Sequence, residues 1–290
     1  MNELLAFSCA LITALSNALA LTTQHIASRR SKESLRGWKL WWHLAHQPLW
    51  FIGWLALVGS LVFQSLALHF GPMSAVQPLL VTELIFGLLI RQLWLHQRVQ
   101  RRAWWSAVAT TAGLALFLLA STPHAGTATP TSLRWVLTAV TSFVIVVVLL
   151  IGVRGASARR RAALYGTMTG LLWALEATFI KATTETLSSG GVSGMLEHWP
   201  FYAFVLGGVA GLLSEQAALH AGPLRVSQPL IVVVDPLLSV LLGLSLFSEH
   251  LRSSWAASTI SVAGLVMMTL GVITLTHSAP DTMVASPRLS

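Results

Sequence analysis

Long apolar runs separated by short polar stretches dominate the chain. A helix that crosses a bilayer needs about 20 mostly apolar residues. Nine segments reach that length: 4–26, 49–69, 72–94, 103–121, 133–153, 162–183, 200–220, 223–247 and 254–275. Spans two and three meet at His69-Phe70-Gly71-Pro72, and spans seven and eight at His220-Ala221-Gly222-Pro223. Gly-Pro junctions break a helix, so each of these marks a tight helical hairpin. The pattern predicts an all-α polytopic membrane protein of about nine transmembrane helices. From Thr276 onward the chain is polar and contains Pro280 and Pro287, which reads as a disordered tail over 277–290.

Composition agrees with this reading. Of 290 residues, 54% are hydrophobic and 10% charged, against about 25% charged in a soluble domain. So few charges cannot cover a water-exposed surface. The net charge of +8 would suggest nucleic acid in a soluble protein, but its distribution argues otherwise. Three clusters hold 13 of the 18 Lys and Arg: Arg29, Arg30, Lys32, Arg36 and Lys39; Arg91, Arg98, Arg101 and Arg102; Arg154, Arg159, Arg160 and Arg161. They fall on alternate loops, so they share one side of a nine-span chain. The positive-inside rule makes that side cytoplasmic. The N-terminus is then outside and the C-terminus inside a cytoplasmic membrane. The bilayer is the partner of these charges, and no nucleic acid is expected. Cys9 is the single cysteine, which excludes cysteine zinc motifs, iron–sulfur ligation and an internal disulfide. The usual basic n-region of a cleaved signal peptide is also missing.

The most specific feature is a duplication. Ala67-Leu68-His69-Phe70-Gly71-Pro72 followed by Gln77-Pro78-Leu79 matches Ala218-Leu219-His220-Ala221-Gly222-Pro223 followed by Gln228-Pro229-Leu230, at a constant spacing of 151 residues. The register continues to Arg101/Arg252 and Trp104/Trp255. Spans 1–4 (residues 1–121) thus align with spans 6–9 (162–276), and 122–161 supplies a linker helix with a basic loop. Five helices separate equivalent elements, and an odd count inverts the second copy. Inverted-topology repeats underlie many secondary transporters, with the site near the midplane where the copies meet.

The second copy reads Asp235-Pro236-Leu237-Leu238-Ser239-Val240-Leu241-Leu242-Gly243 and then Glu249. With the preceding A-L-x-x-G-P…Q-P-L, this resembles the signature of EamA-type proteins in the drug/metabolite transporter superfamily. The resemblance covers the whole chain in layout and is motif-level around spans 2–3 and 7–8. It implies two inverted helical repeats around a central cavity and transport of small metabolites. The first hairpin is also similar to that of NIPA-type magnesium transporters, which often have nine helices. Most EamA-type members have ten helices, and this chain has Arg98 where the second copy has Glu249.

Ionisable side chains inside a bilayer cost about 2.5–3.5 kcal/mol each on insertion scales, which makes them functional candidates by default. Here they are Glu83, Glu176, Lys181, Glu215 and Asp235. Glu83 and Asp235 lie near the middle of equivalent spans. Glu176 and Lys181 are five apart, which favours partners on other helices over an intrahelical pair; pairing with each other or with Glu83 is the structural option. Gln77-Pro78 and Gln228-Pro229 lie one turn into their spans, and Asp235-Pro236 adds a second proline beside a carboxylate. Proline frees a carbonyl one turn earlier, and that carbonyl can receive a cation or polar substrate. Pro72, Pro78, Pro223, Pro229 and Pro236 are the helix-breaking positions. Asn17 and Gln24 share a face of the first span and serve either a cavity or an interhelical hydrogen bond. Gly166/Gly170 and Gly207/Gly211 have the spacing of close helix packing. Tryptophans such as Trp135, Trp199 and Trp255 flank the spans as an aromatic belt, and metal binding by His43 and His46 is disfavoured.

No H-E-x-x-H, G-x-S-x-G or phosphate-loop motif occurs, so neither an enzyme, nor direct ATP drive, nor a cofactor or metal centre is expected. The expectation is a secondary transporter of a small polar or amphipathic metabolite, working by alternating access, with Glu83 and Asp235 as the leading coupling or substrate-binding carboxylates and proton coupling through one of them as one option. Two other readings stay open: a divalent-cation transporter of NIPA type, and a non-transporting membrane scaffold or lipid-handling protein. A homodimer is compatible with such a chain.

Overall fold

A computed structural model describes residues 2–30, 48–96, 99–126, 130–252 and 254–278, without the side chains of 24, 25, 27–30, 224, 225 and 276–278. The described residues form ten helices and no strand: α1 (Asn2–Arg30), α2 (Pro48–Phe70), α3 (Met73–Leu80), α4 (Glu83–Leu93), α5 (Arg101–Ser121), α6 (Ser132–Val153), α7 (Ala158–Glu197), α8 (Trp199–Ala221), α9 (Leu224–Ser245) and α10 (Trp255–Ser278). Eight segments of these helices are long and apolar enough to cross a membrane. The fold is therefore that of a helical, multi-pass membrane protein. The ninth segment anticipated from sequence, 162–183, is helical within α7 but less apolar than the other eight. It carries Glu176, Lys181 and a row of threonines that includes Thr169, Thr178 and Thr183.

Two features depart from the sequence pattern. The third span is not one helix. Pro78 has no N–H to continue the ladder, α3 stops at Leu80, and a turn at Val81–Thr82 precedes a new helix that begins at Glu83. Its repeat counterpart, α9, runs without interruption through both Pro229 and Pro236. The acidic stretch at 184–197, between the sixth and seventh predicted spans, is also helical. It extends α7 past its span, and the chain turns at Gly191, whose φ of 65° favours glycine. The basic stretch at 31–47 and the tail from 279 lie outside the described residues, as do His43, His46, Arg98 and the side chain of Gln24.

The chain divides into two compact units: Met1–Phe70 with Leu79–Val99, and Gly71–Pro78 with Gln100–Ser290. This division cuts across the repeat boundaries. In the first unit α1 packs against α2 and α4. Ser60 of α2 donates to Asn17 Oδ1 at 2.5 Å, so Asn17 serves an interhelical hydrogen bond. In the second unit α7 packs against α8 and α9, and the small-residue spacing seen in the sequence lies on these contacts. Gly166 and Gly170 face Ser227 and Val234 of α9, while Gly207 and Gly211 face Phe179 and Trp173 of α7.

The tightest seam joins α5 and α10, and its contacts are reciprocal. A side chain at Gly113 would meet the Gly264 carbonyl at 2.6 Å and the Met268 backbone. A side chain at Gly264 would meet the Gly113 carbonyl at 2.7 Å and the Phe117 amide at 2.6 Å. Advancing four residues on one helix matches retreating four on the other, so the two helices run antiparallel. Gly113/Gly264 and Phe117/Met268 are each 151 residues apart, the spacing of the repeat. Residues at the repeat spacing thus meet across this seam, and their contacts are reciprocal.

This geometry makes a stability prediction. Gly113→Ala and Gly264→Ala should each cost about 1–3 kcal/mol, because backbone must move to admit the methyl group, and the two costs should be similar. Gly59→Ala, with nothing within 4 Å of the added carbon, should change little. Thermal unfolding of the detergent-purified variants measures all three.

Candidate functional site

Two groups of charged side chains lie inside the second unit. The first surrounds the break at Gly71-Pro72. Residues 71–79 are all buried, so the free amides at the start of α3 cannot turn to water. They find Glu249 instead. Met73 N–H donates to Glu249 Oε1 at 2.6 Å and Ser74 N–H to Oε2 at 2.9 Å. A carboxylate at a helix N-terminus satisfies unpaired donors and meets the positive end of the helix dipole. Here it comes from a residue about 175 positions away, in the turn after α9. That turn seats the side chain through the Glu249 N–H bond to the Gly243 carbonyl at 3.1 Å. A side chain at Gly243 would overlap the carboxylate.

Lys181 completes the group. Its Nζ lies 2.8 Å from Glu249 Oε1 and 3.4 Å from the Gly71 carbonyl, and the Phe247 ring sits 4.9 Å from the ammonium. Phe247 in turn packs edge-on against Trp135, which stacks on Phe179 and meets Trp199. These tryptophans are therefore packing partners as well as flanking residues. One turn before Lys181 on α7, the Thr178 hydroxyl points to Met73 Sδ at 3.8 Å. The option of a Lys181–Glu176 or Lys181–Glu83 pair is not the one realised, since Lys181 pairs with Glu249. Near this group, Ser74 Oγ, Gln77 Nε2 and Thr183 Oγ1 are buried without a hydrogen-bond partner.

The second group lies between α7, α8 and α9. Glu176 and Asp235 are close enough for their charges to interact. Ser239 donates to Asp235 Oδ1 at 3.1 Å, and the Trp173 indole hydrogen-bonds Glu215. A side chain on Gly208 would come within 2.9 Å of Glu176 Oε1, so that glycine leaves the carboxylate its space. Glu176, Glu215 and Asp235 are each half-buried, and none has a basic partner among the described residues. Pro236 leaves the carbonyl one turn earlier without an intrahelical donor, beside Asp235. The Glu176 and Asp235 carboxyl groups, with a freed carbonyl beside Asp235, suit cations, protons or polar groups.

The structure thus places the sequence candidates in different settings. Glu176 and Asp235 come together, Glu215 lies against Trp173, and Lys181 belongs to the other group. Gln77 is buried on α3, and Gln228 is half-buried on α9. Glu83 is half-buried and opens α4 in the first unit. Pro72, Pro78, Pro229 and Pro236 are buried, whereas Pro223 is exposed. Glu249, Ser239 and Gly208 were not among the candidates. Ser239 stands four residues after Asp235, a helical spacing that could have drawn attention. Glu249 was visible only as part of a signature beyond the end of a span.

The chain is 27% identical over 290 residues to an uncharacterized protein of Corynebacterium glutamicum, an alignment covering 99% of each. No family model matches the chain, and no solved structure matches it.

The ion pair can be tested directly. Lys181→Met leaves the buried Glu249 charge uncompensated and should cost about 3–5 kcal/mol. Replacing both residues, as in Lys181→Met/Glu249→Met, should recover only part of this, because two buried amides then lack an acceptor at about 1–3 kcal/mol. Chemical denaturation in detergent would show full recovery in the double variant if the pair mattered only through its charges.

Proposed function

We propose that the protein is a secondary transporter of a small polar or amphipathic metabolite, working by alternating access between two inverted repeats in the cytoplasmic membrane. The observation that carries this reading is the Glu176–Asp235 pair. Two carboxylates from α7 and α9 stand within interaction range of each other, half-buried and without a basic partner among the described residues. A purely structural role would call for a compensating charge, because leaving carboxylates unpaired in an apolar helix bundle costs stability. A site that takes up a proton or a polar substrate has reason to keep them.

The inverted arrangement draws support from the α5–α10 seam. Repeat-equivalent glycines contact each other there, and their helices run antiparallel. An inverted duplication requires such opposite directions of equivalent helices. The break between α3 and α4 is of the discontinuous type that builds transporter sites, and Glu83 stands at its edge. The basic clusters support an outside N-terminus and a cytoplasmic C-terminus.

The test has two stages. A thermal-shift screen of metabolites and divalent ions on purified protein should find a stabilising ligand, since binding to the native state raises stability. Flux of that ligand into proteoliposomes should then fall about tenfold or more in Asp235→Asn and Glu176→Gln, a loss of at least ~1.4 kcal/mol. Full uptake by both correctly inserted variants would reject the role given to the carboxylates. Stabilisation by magnesium alone, with magnesium flux, would favour a cation pathway instead.

A further inference from the structure

The segment Gly71–Pro78 belongs to the second compact unit, although the chain on both sides of it belongs to the first. It begins at a Gly-Pro break, and the turn at Val81–Thr82 follows three residues after it. It is held in the second unit by α7, through Thr178 and Lys181, and by Glu249 from the turn after α9. Of these contacts, the only one made by a full charge to amides is that of Glu249.

The repeat shows whether the other side has the same device. Adding or removing 151 residues relates Met73 and Ser74 to Leu224 and Arg225 at the start of α9, Glu249 to Arg98, and Lys181 to Arg30. A guanidinium donates and cannot accept from amides. The residue that holds α3 thus has a counterpart of opposite character, and Arg98 cannot hold the start of α9 as Glu249 holds α3.

We propose that Glu249, seated by Lys181, is a one-sided latch: it closes the α3 end of the transport path, and its counterpart for the α9 end, Arg98, cannot act in the same way. This rests on the transporter reading above. In the orientation proposed there, α3 starts at the outer face, so the latch is the outer gate. The resting protein is then closed to the outside, and outward opening requires the Glu249 carboxylate to leave the α3 amides. The unpartnered Ser74 Oγ and Gln77 Nε2 lie on the segment released.

Cysteine accessibility tests this in the full chain. In a Cys9→Ser background, single cysteines are placed at Ser74 and, as the counterpart, at Arg225. Both proteins, in membranes opened to both faces, are exposed to a water-soluble maleimide. Ser74→Cys keeps its backbone N–H and should label slowly. Adding Glu249→Gln should raise its labelling rate about tenfold or more, as for a locally opened segment. Labelling at Arg225→Cys should not change. A buried α7 position, Thr169→Cys, reports global unfolding and should stay unlabelled.

If Glu249→Gln exposes Thr169→Cys as well, Glu249→Asp replaces it, because the shorter side chain keeps its charge but cannot span both amides. The latch is overturned if Ser74→Cys labels rapidly with Glu249 intact. It is equally overturned if labelling stays slow in whichever Glu249 variant remains folded, or rises equally at Ser74→Cys and Arg225→Cys. Labelling that depends on Glu249 in a protein that carries no ligand across liposomes would leave the latch standing and reject transport.

Discussion

A helix that begins in the middle of a packed protein has a difficulty that its own sequence cannot solve. Its first amides have no partner within the helix, and burial removes water as an alternative. The Gly71-Pro72 break creates this situation, and the Glu249 carboxylate resolves it from far along the chain. The rest of the local structure follows from that contact. A buried carboxylate needs a counter-charge, which Lys181 provides. The ammonium needs its remaining faces occupied, which the Gly71 carbonyl and the Phe247 ring achieve. Phe247 then fixes Trp135 and with it the start of α6. The turn bearing Glu249 is further tied by backbone bonds between His124 and His250. A single capping requirement thereby organises elements of five helices.

The two charged groups of the second unit differ in kind. Around Glu249 every charge is matched, and the carboxylate has three donors within 3 Å. Around Glu176 and Asp235 two carboxyl groups lie without a basic partner among the described residues, with a serine hydroxyl as a neutral donor to Asp235. The first arrangement suits holding one conformation. The second suits a group whose charge state or partner changes. That both lie along α7, at Lys181 and Glu176, means one helix carries the fixed pair and the unpaired carboxylate about a turn and a half apart.

Much of the fold was legible because lipid-facing helices must be uniformly apolar, and α2, α6 and α8 announce themselves by that alone. The hairpins at Gly71-Pro72 and Gly222-Pro223 were legible for the same reason that they form: neither residue continues a helix. Harder to read were features that depend on which helices meet. Pro78 and Pro229 occupy equivalent positions, yet only the first helix ends nearby. Identical dipeptides therefore did not dictate identical outcomes. Asp235 and Glu176 were identifiable as costly charges, but their approach across α7 and α9 rests on Gly170 and Gly208 making room. Glu249 showed only as part of a signature, because its partners are amides about 175 residues earlier, and no local pattern encodes such a contact. Asn17 shows the converse: the sequence marked it as polar, and only the position of Ser60 made it an interhelical contact.

The glycine seam between α5 and α10 also constrains how the protein is made. Its partners are 151 residues apart, and at about 5–20 residues per second a ribosome takes roughly 8–30 s to cover that distance. For that interval α5 is in the membrane with its notched face against lipid or whatever protein accompanies insertion. Closing the seam is consequently a late event in biogenesis. It belongs to the moment when the last helix arrives, and a chain truncated before α10 would leave that face permanently unfilled.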